Sequence, residues 1–242
     1  MSDWTIELGE DVTLKIEQEQ YVDENDNPRG FDGNIGVMIC AHRRYNLGDE
    51  QIGPEDRLTE ITCPACEGAG EIAGNLLGFD ETETCPKCDG AGEIELGLHE
   101  YLKRERGARV ILPLGLLDHS GISMYVGAGE HRQDPGGWDS GQVGVIFDTA
   151  ETRAETTGDD VTDEEIERAL RAEVEEYDSY LRGEIYAYVI EDEDGEILDS
   201  CGGFLGDLKY AKEGGLSAAE YHVKERRAIR ERNELVMAGW RQ

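Results

Sequence analysis

Apolar and polar side chains alternate over residues 1–22, with Trp4, Ile6 and Leu8 and then Val12, Leu14 and Ile16 in step. A period of two predicts a half-buried β-hairpin. Residues 34–42 (NIGVMICAH) are nearly all apolar, which predicts a central strand covered on both faces. Residues 108–117 (ARVILPLGLL) predict a second such strand with a bulge or bend at Pro113, and 122–126 and 142–147 predict shorter ones. A helical period takes over at 163–182, where Ile166, Leu170, Val174, Tyr177 and Leu181 share a face. Thr162 and Glu165 form a capping box before it and Gly183 stops it. EIYAYVI, EDEDG and EILDSCGGFLG (184–206) predict a hairpin. Residues 100–105 predict a short helix, 151–160 an acidic connection, and Ser217 with Glu220 the start of a final helix. The sum is an α+β protein with a mixed, largely antiparallel sheet and two late helices.

Between the two apolar strands the periodicity gives way to a duplicated phrase, CPACEGAGEI at 63–72 and CPKCDGAGEI at 85–94. Each copy puts two cysteines three positions apart on a turn that aims both sulfurs at one point. The spacing C-x2-C-x18-C-x2-C falls in the range of four-cysteine zinc sites. Zinc suits four thiolates because the ion is tetrahedral, accepts soft ligands and needs no redox partner. The glycines behind each pair (Gly68 and Gly70, Gly90 and Gly92) permit positive φ and close packing behind the metal. Cys63, Cys66, Cys85 and Cys88 are therefore the expected ligands of one structural zinc, with no open coordination position for chemistry. Disulfides, an iron–sulfur cluster and a redox dithiol are the competing readings. MSDWTIELGE at the N-terminus lacks the charged-then-apolar pattern of a secretory segment, so a cytoplasmic, reducing setting is expected. The phrase CxxCxGxG resembles the cysteine-rich repeats of DnaJ-type chaperones. Two copies stand where that domain uses four, and no His-Pro-Asp tripeptide occurs. The resemblance implies a knuckle geometry rather than a chaperone. The implied organisation is an α+β core over 1–57 and 99–208, a zinc insertion over 58–98 and a basic C-terminal helix over 209–242.

Charge narrows the partners. The chain carries a net −32, from 55 acidic residues against 23 basic ones. Acidic surfaces hold water in molar salt, where screening removes most of the self-repulsion, so a halophilic source is expected. A negative surface that imitates nucleic acid and occupies the groove of a DNA-binding protein is the competing reading. Binding of the main body to a phosphate backbone is disfavoured, because that contact needs clustered cations. Residues 209–242, with eight basic and five acidic side chains, are the exception. Arg226, Arg227, Arg230 and Arg232 either dock on acidic groups of the chain, face solvent, or reach a nucleic-acid or protein partner. No apolar run approaches the ~20 residues that span a bilayer.

Three segments mix reactive groups with glycine and aromatics at strand ends: HRRYNLGD (42–49), LDHSGIS (117–123) and GGWDSGQVG (136–144). His42, Asp118, His119 and Asp139 are candidates for a divalent-metal or acid/base set. Arg43, Arg44 and Trp138 are candidate binding residues, and Ser120 and Ser140 lie outside any nucleophile-elbow motif. The competing reading makes these residues satisfy backbone groups at turns. His99, His131 and His222 carry no ligand spacing, and Cys40 and Cys201 are expected as buried apolar thiols.

These three segments, with the 177–206 hairpin region, resemble a widespread, uncharacterised family of small phage and mobile-element proteins. The resemblance implies a viral or mobile-element setting and no activity. The leading expectation is a zinc-stabilised accessory protein with a protein partner. A metal-assisted hydrolase or nuclease and an acidic DNA mimic are the alternatives.

Overall fold

The computed structural model describes residues 4–19, 24–52, 60–74, 81–158 and 160–239. Its strands are β1 (Trp4–Gly9), β2 (Val12–Gln18), β3 (Gly36–Cys40), β4 (Glu50–Gln51), β5 (Glu60–Thr62), β6 (Glu71–Gly74), β7 (Glu81–Thr84), β8 (Glu93–Glu95), β9 (Ile111–Asp118), β10 (Ile122–Val126), β11 (Ser140–Asp148), β12 (Ile185–Glu191) and β13 (Ile197–Leu205). Its helices are α1 (Leu98–Glu105), α2 (Ala150–Thr156), α3 (Asp163–Leu181) and α4 (Leu208–Gly239). This is the α+β class that the hydropathy pattern predicts: β1 with β2, β2 with β12, β12 with β13 and β3 with β11 pair antiparallel, and β3 with β4 parallel. The chain forms two compact units, one made of 1–32, 115–142 and 171–242, the other of 33–114 and 143–170. The expected boundary at 57/58 lies outside the described residues.

In the first unit β1, β2, β12 and β13 form one antiparallel sheet in that order. The alternation seen in the sequence puts Val12, Leu14 and Ile16 on the buried face, against Ala211 and Ala219 of α4. Here one expectation fails. The last helix begins at Leu208, not Ser217, and Gly214 and Gly215 lie inside it. Glycine weakens a helix locally. At position 215, however, a Cβ would stand 2.9 Å from Leu14 Cδ1 and 3.0 Å from Tyr188 Cβ, so the missing side chain lets α4 lie close on the sheet. Further along α4, Arg226 pairs with Asp192 at 3.0 Å, and Arg227 and Arg230 pair with Glu10 at 3.4 and 2.6 Å. These basic residues dock on acidic groups of their own unit.

In the second unit β11 runs antiparallel to β3, from Gly144 opposite Cys40 to Asp148 opposite Gly36, and β4 pairs parallel with β3. Ile39, Val145 and Phe147 pack with Leu102 of α1 and with Ala108. β9 runs from Ile111 to Asp118 through Pro113 as one strand. The connection expected at 151–160 contains α2 instead, closed by a capping box in which Thr149 and Thr152 exchange bonds. That helix buries no side chain, so it left no apolar period to read. Asp148 is fully buried. It accepts from the N–H groups of Arg109 and Val110 at 3.0 and 2.7 Å and pairs with Arg153. Two small antiparallel ladders, β5 with β8 and β6 with β7, carry the cysteines.

Candidate metal centre

The two cysteine phrases fold as near-equivalent halves. Cys63 N–H donates to Gly92 O and Cys85 N–H to Gly70 O, both at 2.8 Å. Within each turn Ala69 N–H donates to Cys66 O and Ala91 N–H to Cys88 O, both at 2.9 Å. The glycine requirement is steric as well as conformational. Gly70 and Gly92 sit at φ +74° and +79°, and a Cβ on either would run into the carbonyl oxygen of Gly90 or Gly68. Glu67 and Asp89, at equivalent places in the two turns, also adopt positive φ, of +52° and +49°. The sequence did not single them out, although an acidic residue directly after the second cysteine of each copy was a visible signal.

This symmetry brings the four sulfurs together, all within 4.8 Å of one another. The Cys63–Cys85 and Cys66–Cys88 Sγ–Sγ separations are 3.8 and 3.6 Å. A tetrahedron with metal–sulfur bonds of about 2.3 Å has edges of about 3.8 Å, so the donor set fits a four-coordinate ion. All four side chains are buried, with Ile72 and Ile94 packed against them. Backbone N–H groups support the sulfurs, as where Gly92 N–H donates to Cys88 Sγ at 3.3 Å. Burial pushes the Cys66 thiol up to about 11. Burial acts the same way on Cys63, but the N–H groups of Ala65 and Cys66 outweigh it and bring that thiol down to about 7. A metal bound here takes its sulfurs as thiolates, so binding releases the protons they hold. Among the described residues no other cluster of His, Cys, Asp or Glu offers a comparable ligand set.

The other candidates divide between the units. In the first, β9 ends where β11 begins, and Asp118 N–H donates to Asp139 O at 2.7 Å. That backbone pairing brings His119 Nδ1 to 2.8 Å from Asp139 Oδ2. The Asp139 loop is pinned by Asp134, which accepts from Asp139 N–H at 2.8 Å and from the Ser140 hydroxyl at 2.9 Å. Those donors, Asp139 N–H first, hold the Asp134 carboxyl below its usual range. Asp134 was missed from sequence, although an Asp before Pro-Gly-Gly is a turn signal. Ser140 Oγ in turn accepts from His131 N–H at 3.0 Å. Trp138, beside Asp139, is 91% exposed.

His42 belongs to the second unit. There its Nδ1 accepts from the N–H groups of Arg44 and Tyr45, both at 3.3 Å, and its ring stacks on Tyr45. Arg43 is exposed, and Arg44 lies over the Tyr45 ring. The rest of that motif is structural: Leu47 is buried, and Asp49 accepts from Met38 N–H at 2.7 Å. Cys40 is buried as expected, but Cys201 is exposed. It lies on the outer strand β13, where the register with β12 shifts opposite Tyr186–Tyr188 and Gly203 turns to φ +78°, so the strand is not packed as a regular strand would be. No helix among the described residues is long and apolar enough to cross a membrane.

No family model, no curated protein and no solved structure matches the chain.

Proposed function

We propose that the four cysteines bind one zinc ion and that the protein is a zinc-stabilised accessory protein whose cysteine element presents a surface to a protein partner. The observation that carries this reading is the closed set of four buried sulfurs at tetrahedral spacing, each half of the element locked to the other by a main-chain bond. Four thiolates fill the coordination sphere of zinc, so the ion holds structure and activates no water. Zinc is favoured because it is redox-inert, tetrahedral and accepts four soft sulfur ligands.

The setting is part of the same proposal. HRRYNLGD, LDHSGIS and WDSGQVG support a viral or mobile-element origin through the resemblance they carry, and the net −32 supports life in high salt. Direct nucleic-acid binding through α4 loses support, because Arg226, Arg227 and Arg230 are engaged by Asp192 and Glu10.

The test is elemental analysis of purified protein followed by partner capture from host extract, with and without chelator. One zinc per chain and a partner lost on chelation support the reading. Iron in the site, or a partner set that survives metal removal unchanged, contradicts it.

A further inference from the structure

A second feature, independent of the cysteines, lies wholly inside the first unit. A cleft of about 950 Å³ opens between the β9–β10 turn, the segment that follows β10 and the C-terminal half of α3. That volume is in the range of small-molecule sites. Three properties of its walls define what would fit.

Carboxylates outnumber cations in the cleft, and one of its guanidinium groups is already held by two of them. Arg182 pairs with Asp178 at 3.4 Å and also with Glu184, and the other Asp178 oxygen accepts from Met124 N–H at 2.7 Å. Arg171 and Glu175, one helical turn apart, add one charge of each sign. A phosphate or carboxylate ligand would have to displace carboxylates that hold the guanidinium, whereas a neutral ligand leaves those pairs intact.

The remaining polar groups both donate and accept. His119, Ser120, Ser123, Gln133 and Gln18 reach the cleft. His119 stands at its rim, with a side chain 69% exposed. Asp139 takes its Nδ1, which fixes the ring and leaves Nε2 for a ligand. Aromatic faces supply the third property. Tyr125 and Tyr186 line the cleft. A ligand with many hydroxyls and flat faces of C–H groups meets all three.

We propose that this cleft binds a neutral saccharide, with His119 and Gln133 hydrogen-bonding ring hydroxyls and the aromatic side chains covering its apolar faces. His119 and Gln133 belong to the cleft rim and no core contact depends on them, so their substitution leaves the fold in place. Two neutral probes, maltotriose and triacetylchitotriose, are titrated into zinc-loaded protein in molar potassium chloride and followed by amide chemical shifts. Inorganic phosphate and AMP serve as anionic probes. The expected result is saturable binding of at least one trisaccharide, with a dissociation constant on the order of 1 mM. The shifts should centre on residues 117–133 and 171–186. His119→Ala and Gln133→Ala should each weaken it by about tenfold, the value of one good hydrogen bond, without moving the melting temperature. The proposal is overturned if neither trisaccharide binds, if phosphate or AMP competes for the cleft, or if both variants bind like the parent.

Discussion

The cysteine element and the α4 layer are two solutions to the same problem. Around α4, Val12, Leu14, Ile16, Ile190, Ala211 and Ala219 are buried, and half-buried residues such as Trp4, Tyr188 and Phe204 pack around them. That much apolar surface folds by exclusion of water. Among the described residues of the cysteine element the buried cluster is the four cysteines themselves, with Ile72 and Ile94 beside them. The cysteine turns themselves bury little besides their sulfurs, so a bound metal is expected to supply much of the free energy that orders them. Sheet and helix tolerate loss of one contact; a metal-held element should not.

The largest way to sharpen that contrast is to remove a ligand. Cys63→Ser should abolish tight zinc binding, forfeiting most of the roughly 10–16 kcal/mol that such sites supply, with the readout a metal titration by calorimetry. Retained tight binding would mean that the sulfurs do not form one site. Lowering the pH should weaken metal binding progressively, because every thiolate that binds zinc must otherwise take up a proton, and an affinity that does not change with pH in the same titration would contradict thiolate ligation.

Next in size is a cavity in the α4 layer. Leu14→Ala should cost roughly 2–5 kcal/mol in denaturant unfolding while leaving zinc affinity unchanged. A loss of zinc binding in that variant would erase the distinction between the two regions. Gly215→Val should cost roughly 1–3 kcal/mol by pushing α4 away from Leu14 and Tyr188.

These two positions also show how far the sequence could be read. Leu14 lies in a period-2 run, so its burial follows from the strand geometry of its own segment. Gly215 fell outside the helix that Ser217 and Glu220 announce, because capping and local propensity are all that a segment displays; its use depends on Leu14 and Tyr188, some 200 and 27 positions away in sequence. The same division runs through the sites. Four cysteines at fixed spacing carry their geometry in short turns, and so declare themselves. His119 and Asp139 meet only because β9 and β11 become neighbours, a pairing that neither segment announces. HRRYNLGD was conspicuous for His42, Arg43 and Arg44, yet Leu47 and Asp49 do the structural work of that motif.

A subtler break in the comparison concerns the cysteine turns. Gly70→Ala and Gly92→Ala should each lower zinc affinity by about 10–100-fold, and by similar amounts, because the two halves make the same contact. Strongly unequal effects would show that the halves are not equivalent in solution.

The smallest effect is at the β12–β13 turn. The N–H of Glu196, then that of Asp194 and the Arg226 guanidinium, hold the Asp192 carboxyl below its usual range. A carboxyl depressed in the folded state stabilises it above the ordinary value of about 4, and that contribution is lost as pH falls through the folded value. Asp192→Asn should therefore lower the melting temperature slightly at neutral pH and converge with the parent in acid, flattening the acid limb of a melting-temperature series. An unchanged acid limb would remove Asp192 from the account.

Hydrogen exchange on the intact zinc-loaded chain, with and without a strong chelator, tests the central contrast most directly. Amides of residues 60–74 and 81–95 should lose protection when zinc is removed, while those of β2, β12 and α4 keep theirs. Simultaneous loss across the whole chain, or no loss in the cysteine element, would contradict it.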